Sequence, residues 1–384
     1  MTKRILYVAN LASGFINKFL MSEFGEMKRN GWTIDVACNA DEQLHTNINN
    51  LFNVGWKRNP IHPKSLLGYL KLIKYLKQNH YDVICCMTPT GGVAGRICSL
   101  LAKIKKRGTK IVYFVHGFHF YKGAPLRNWI IYYPIEKFLS HFTDIIITLN
   151  KEDYLLAEKK FKANHVFKVN GIGYNDRKIN SFIEKHKLID KYEFRKKLSL
   201  PVDGKILFYA AEISKNKNQL FALKVLKELI KTDCNYLLIL AGKDTTKGRF
   251  LKQIERKKLL NHVLLLGYTE KVFEYLRASD FCFATSKREG LPVNIMEAMK
   301  LKVPVIAKRN RGHLELLEKN CLYGFLYNTE TPSEVAEIIS RFFNETNRTL
   351  LNDVEERAAK KVNDYSFGNV FPLIYQIYIM DNNG

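Results

Sequence analysis

The sequence predicts an α/β protein made of two domains in tandem, each a parallel sheet wrapped by helices. Three observations predict this. The chain has 384 residues, more than one hydrophobic core ordinarily serves. Short apolar runs alternate with longer amphipathic segments, which is the rhythm of βαβ units. That rhythm breaks once, in a polar stretch near the middle, and then begins again.

The first series opens with the strand Ile5–Val8 and continues with Ile34–Ala37, Val83–Met87, Ile111–Val115, Ile145–Thr148 and Val166–Val169. Helical segments lie between them, among them Leu66–Gln78, Gly92–Lys103 and Asn128–Leu139. The charged stretch that follows reads as a crossover. After Pro201-Val202-Asp203-Gly204 come the strands Ile206–Tyr209, Tyr236–Ala241, Val263–Leu266, Phe281–Ala284, Val305–Ile306 and Gly324–Leu326. The expected division is a first domain over 1–170, a linker over 171–200, a second domain over 201–364 and a final helix over 365–384. Ligands of such sheets bind beyond the carboxyl ends of the strands, so the expected site is a cleft between the two domains.

Composition narrows the function. No run of about 18 apolar residues is present to span a bilayer, and the apolar run after Met1-Thr2-Lys3-Arg4 is too short for a signal peptide, so export is not expected. The seven cysteines show no zinc-type spacing and read as buried thiols. The formal charge is +24, of which residues 1–180 carry +15. Such a field attracts anions: a nucleotide, a diphosphate-linked substrate, an anionic membrane or a nucleic acid. No helix-turn-helix, RNP-like or zinc-finger pattern supports the last of these. There is no Gly-x-Gly-x-x-Gly after the first strand and no Gly-x-x-x-x-Gly-Lys-Ser/Thr, which argues against a dinucleotide oxidoreductase or a P-loop NTPase. Asp-x-Asp is absent as well, so no metal is expected.

The most informative stretch is Arg288-Glu289-Gly290-Leu291-Pro292-Val293-Asn294-Ile295-Met296-Glu297-Ala298-Met299. It places one carboxylate on a loop after a strand and a second inside the following helix. Two such groups can grip one elongated polar ligand at two points, with free N–H groups at the helix start holding a phosphate between them. In this context the Glu-x7-Glu spacing resembles the donor-site motif of the family 4 retaining glycosyltransferases, whose GT-B fold consists of two facing Rossmann-like domains. The similarity spans nearly the whole chain and includes Asn170-Gly171-Ile172-Gly173, Lys217, Arg311-Gly312 and Tyr365-Ser366-Phe367, the last resembling the start of the family's final helix, which implies that 365–384 packs back on the first domain.

The resemblance implies roles. Glu297 would accept hydrogen bonds from the ribose hydroxyls of a nucleotide. Glu289 would hold the donor sugar and stabilise charge at its anomeric carbon. Backbone groups of Gly290 and Leu291 would reach sugar and phosphate oxygens, and those of Asn294 and Ile295 would face the diphosphate. Lys217 would contact the diphosphate, alone or with Lys215 or Arg311 in support, and His116 would contact the sugar near the reacting centre. Gly14 would come close to the diphosphate. The family's usual Arg five residues before the Lys is Glu212 here, which removes one expected cation.

A longer string, from His116-Gly117-Phe118-His119-Phe120 to Tyr133-Pro134-Ile135-Glu136, is similar to a subgroup that builds bacterial capsule, exopolysaccharide or O-antigen units on undecaprenyl diphosphate. This implies a UDP-sugar donor as substrate, no cofactor, a lipid-linked saccharide acceptor, and a cytoplasmic enzyme peripheral to the inner face of the plasma membrane. The basic helix Leu66–Gln78 and the aromatics Tyr69, Phe118, Phe120, Tyr121 and Trp129 would meet that membrane. The alternatives are a UDP-sugar epimerase of the same architecture and, on charge alone, a nucleic-acid-binding protein.

Overall fold

The computed structural model describes residues 2–12, 16–44, 47–56, 63–318, 322–343 and 348–381. The chain forms two compact units, one of residues 1–173 with 367–384 and one of residues 174–366.

The first unit is built on a seven-stranded sheet. Its strands are β1 (Arg4–Leu11), β2 (Thr33–Asn39), β3 (Asn50–Asn53), β4 (Val83–Met87), β5 (Lys110–Val115), β6 (Ile145–Thr148) and β7 (His165–Lys168). They run parallel in the order β3-β2-β1-β4-β5-β6-β7. β4 and β5 are buried throughout, which is why they read as unbroken apolar runs rather than alternating ones. β3, Asn-Leu-Phe-Asn at the edge, is mostly exposed and escapes an apolar pattern. The order reverses between β1 and β4. There the helix Pro89–Leu101 starts against β1: a Cβ on Gly91 would lie 2.7 Å from both Ala9 Cα and Val8 O. Only glycine permits that approach.

The helix Phe367–Ile379 completes this unit. Tyr378 Oη donates to the buried carboxylate of Glu23 at 3.0 Å, beside Tyr7 Oη at 2.7 Å. Lys110 Nζ donates to the Tyr378 carbonyl at 3.1 Å. A lysine at the end of a helix in this way satisfies a carbonyl that has no intrahelical donor.

The second unit holds six parallel strands: β8 (Lys205–Ala210), β9 (Tyr236–Ala241), β10 (Val263–Gly267), β11 (Phe281–Ala284), β12 (Val305–Lys308) and β13 (Phe325–Tyr327). Their order is β10-β9-β8-β11-β12-β13. The stretch 171–200, expected as a linker, carries the helices Asp176–Lys185 and Lys191–Lys197. Ile179 and Phe194 from these helices are fully buried in the second unit's core. Asn175 and Asp190 cap them through their side chains. The sequence disguises both helices because most of the residues on their outer faces are charged.

The aromatic cluster expected at a membrane turns inward instead. Phe118 and Phe120 are buried and stack at 5.0 Å, and Trp129 packs on Phe120 at 5.5 Å. These rings are core, held together by the apolar area they hide.

Candidate functional site

The strand order of the second unit reverses between β8 and β11, the position at the sheet's carboxyl end where ligands of such sheets bind. The loops leaving these two strands are 211–218 and 285–292, and they carry Lys217 and Glu289.

Hydrogen bonds lace the two loops together. Thr285 Oγ1 donates to the carbonyls of Lys217 at 2.9 Å and Asn218 at 3.0 Å. Tyr209 Oη, buried at the end of β8, reaches the Lys217 carbonyl at 3.2 Å and Ser286 Oγ at 2.5 Å. The Lys287 amide donates to the Asn216 carbonyl at 2.8 Å. Asn218 takes a left-handed conformation, φ 58°, which turns the chain sharply into the helix Gln219–Thr232. The result is a fixed ion pair, Lys217 Nζ to Glu289 Oε1 at 2.6 Å, with both side chains mostly buried. Partial burial weakens solvent screening, so the pair is worth more than an exposed one.

A third wall comes from β12. Asn310 caps the helix Arg311–Leu317, accepting from the His313 amide at 3.0 Å. Its Nδ2 donates to the Ser286 carbonyl at 2.9 Å. Arg311 Nε donates to the Glu289 carbonyl at 3.3 Å. Gly312 has no room for a side chain: a Cβ would lie 2.8 Å from Glu289 Cβ and from the Gly290 carbonyl. His313 is buried, and burial pushes its imidazole down to about 4 against the opposing pull of Glu289. The imidazole is therefore neutral near pH 7 and uses Nδ1 toward the Lys308 carbonyl at 2.5 Å.

Gly290 and Leu291 sit between the ion pair and the helix Val293–Lys300, both partly exposed. Pro292 stands at the N-cap and offers no side-chain cap. The amides of Asn294 and Ile295 lie in the first turn, where the helix supplies no acceptors. One turn on, Glu297 is partly exposed, yet burial pushes its carboxyl up to about 7, with the charge of Lys178 pulling the other way. Glu212, where a cation was expected, is exposed; its carbonyl receives Gln219 Nε2 at 3.0 Å.

Lys217, Glu289, Gly290, Leu291, Asn294, Ile295, Glu297 and Arg311 thus all lie along the β8–β11 switch and the two helices beside it. His116 belongs to the first unit, at the end of β5. It stacks on Phe114 at 5.1 Å, and burial pushes its imidazole down to about 3. The next residue, Gly117, has φ 114°, and the Phe118 amide donates to Asp153 Oδ2 at 3.3 Å. Gly14 lies outside the described residues. Among the described residues, no group of three His, Cys, Asp or Glu side chains is placed to hold a metal ion.

Sequence reasoning missed Tyr209, Thr285, Ser286, Asn310 and His313. Asn310 had a readable signal, an Asn directly before a helix. Tyr209, Thr285 and Ser286 act through contacts 67 to 77 residues apart in sequence, which no local pattern records.

Comparison with known proteins agrees along the whole chain. Residues 190–361 match the family model described as glycosyl transferases group 1, and residues 4–150 match glycosyl transferase 4-like. EpsD of Bacillus subtilis (strain 168), a glycosyltransferase by assignment, is 34% identical, over 95% of this chain and 96% of its own. An Escherichia coli UDP-Gal:alpha-D-GlcNAc-diphosphoundecaprenol alpha-1,3-galactosyltransferase is 24% identical, over 96% of this chain and 94% of its own. The crystal structure of HepE (Alr3699) from Anabaena, in complex with UDP and glucose, superposes with a TM-score of 0.76 at 19% identity, covering 98% of this chain and 99% of that one.

Proposed function

The chain belongs to the group 1 glycosyltransferases and has the GT-B fold, and from that premise we propose that it moves a sugar from UDP to a hydroxyl of a lipid-linked saccharide during exopolysaccharide or related surface-polysaccharide synthesis. The observation that carries the donor half is the ion pair Lys217–Glu289, set beside a helix start and a second, desolvated carboxyl at Glu297. The acceptor half is supported by the printed activity of the E. coli relative, which acts on a diphosphoundecaprenol-linked sugar. Such an acceptor would keep the enzyme at the inner membrane surface.

In this reading the ribose hydroxyls donate to Glu297. The diphosphate takes Lys217 from Glu289 and lies against the amides of Asn294 and Ile295, where the helix end is positive. Glu289, freed of Lys217, turns to the sugar hydroxyls and to the positive charge that grows at the anomeric carbon. Arg311 holds the Glu289 backbone, while Gly290 and Leu291 offer amides to the sugar. The acceptor oxygen bonds to the anomeric carbon on the face from which the diphosphate departs. The carbon–oxygen bond to the diphosphate breaks, the hydroxyl proton passes to the leaving phosphate, and configuration is retained. Lys217 and the helix amides stabilise the leaving charge, so the reaction needs no metal.

The test is a panel of UDP- and GDP-sugars assayed with an undecaprenyl-diphosphate-linked acceptor, with and without EDTA. The expected result is one UDP-sugar transferred, with EDTA inert and an NMR coupling constant that reports the donor's own anomeric configuration. Conversion of a UDP-sugar into its epimer without acceptor would overturn the reading.

A further inference from the structure

The helix Leu126–Ser140 of the first unit carries an apolar stripe on its outer face. Its one acid, Glu136, faces the core, where Arg96 Nη2 donates to it at 2.6 Å and Tyr113 Oη at 2.9 Å. Leu139 is buried, and Trp129 and Tyr133 pack on the core, but five other large apolar residues face solvent: Leu126 is 73% exposed, Ile130 66% and Phe138 59%, with Ile131 and Ile135 exposed beside them. A surface helix normally shows the reverse arrangement. The flanking helix Pro89–Leu101 touches both this helix and the helix Pro63–Gln78. The latter buries Leu72 and Leu76 but exposes Leu66, Leu67 and Leu70, as well as Lys71 and Lys74.

Charge selects the occupant. Residues 43–140 contain fifteen Lys or Arg and two acids, Asp82 and Glu136; of these Arg96 and Glu136 are buried as a pair and Lys110 is buried too, which leaves the exposed charge strongly basic. A second copy of the chain would bring two such cationic faces together, which repulsion opposes. An anionic lipid surface matches both the apolar stripe and its basic surround, and no helix among the described residues is long and apolar enough to cross a bilayer.

We propose that the outward stripe Leu126, Ile130, Ile131, Ile135 and Phe138 lies in the surface of an anionic bilayer, with the helix Pro63–Gln78 as a second contact. The stripe would sink into the boundary between headgroups and acyl chains while Arg127, Lys137 and the neighbouring lysines bind lipid phosphates. This inference rests on the reading of the enzyme as peripheral to a membrane, and it names the surface. It also replaces the buried rings Phe118, Phe120 and Trp129 as the membrane contact.

The test is flotation of the full chain with vesicles of phosphatidylcholine alone or mixed with phosphatidylglycerol, for the wild type and for Ile130→Ser combined with Phe138→Ser. The wild type is expected to float with the anionic vesicles and less so at high salt. The double variant is expected to lose about tenfold or more of that affinity while its UDP affinity and melting temperature hold. A variant that folds and floats like the wild type overturns the inference and leaves the peripheral reading standing. A wild type that ignores anionic vesicles overturns the peripheral reading itself. A wild-type dimer that the double variant turns into a monomer assigns the stripe to self-association and overturns the lipid proposal.

Discussion

Above pH 7, Glu297 carries a negative charge on a carboxyl that burial has stripped of water. Its ordinary value is 4.5 and its folded value about 7. Between these values the folded chain holds a proton that the unfolded chain has released, so stability falls as pH rises through the window and is level above it. Glu297→Gln should therefore raise the melting temperature above pH 7, by the few degrees that a gain of about 1–2 kcal/mol produces, and the gain should vanish below pH 4.5. Binding runs the other way. Hydroxyl donors need the carboxylate, so the Kd for UDP should rise as pH falls below about 7, and the Gln variant should bind weakly with no such slope. Thermal melts and calorimetric titration across pH check both. At the neighbouring pair, Lys217→Ala and Glu289→Gln should each lower kcat by about a hundredfold or more. The double variant should fall far short of the product of the two losses, because the side chains act as one unit. The identity of both carboxylates was legible because each lies in one short segment. The pairing of Glu289 with Lys217 was not, because it spans 72 residues and depends on two loops folding over one switch in strand order.

At the scale of elements, the wall formed by the helix Arg311–Leu317 is held by a cap and by a missing side chain. Asn310→Ala removes both the cap of this helix and the donor to the Ser286 carbonyl. The expected loss is about 1–2 kcal/mol of stability with a smaller loss of UDP affinity. Gly312→Ala should do the opposite in proportion. Its Cβ must push on the Glu289 backbone, so activity should drop tenfold or more, with a modest change in melting temperature. Kinetics and thermal melts on the two variants separate these cases. Strands of this fold are easy to find in the sequence where both sheet faces are covered, as for β4, β5 and β11, since burial selects apolar residues at every position. The edge strand β3 and the two charged helices of 176–197 were hidden because half or more of each surface meets water. The outward stripe of the helix Leu126–Ser140 was hidden for a different reason: which face looks outward depends on Arg96 and Tyr113, which lie on other elements.

At the scale of the whole molecule, two units with two sheets imply two separable stabilities. Arg96 is buried against Glu136 and lies 3.7 Å above the Tyr113 ring, and losing it would strand a carboxylate in the core. Arg96→Ala should cost the first unit about 3–5 kcal/mol and lower one calorimetric transition, while the transition of residues 174–366 and the affinity for UDP remain. The fold class and its repetition were legible from the two βαβ series, because periodicity is a property that survives without long-range information. The place of 174–200 in the second unit was not legible, because Ile179 and Phe194 are buried in a core whose strands come later in the chain, and the return of the final helix to the first unit was legible only through the resemblance at Tyr365-Ser366-Phe367. That return has a consequence for synthesis on the ribosome. The carbonyl that Lys110 Nζ grips belongs to Tyr378, 268 residues later, a gap of about 15 to 50 s at ordinary elongation rates. For that interval the second domain is being made while the nascent first sheet waits, with Glu23 short of one donor and the seat of Tyr378 uncovered. A chaperone or the membrane itself would find that seat open only during translation.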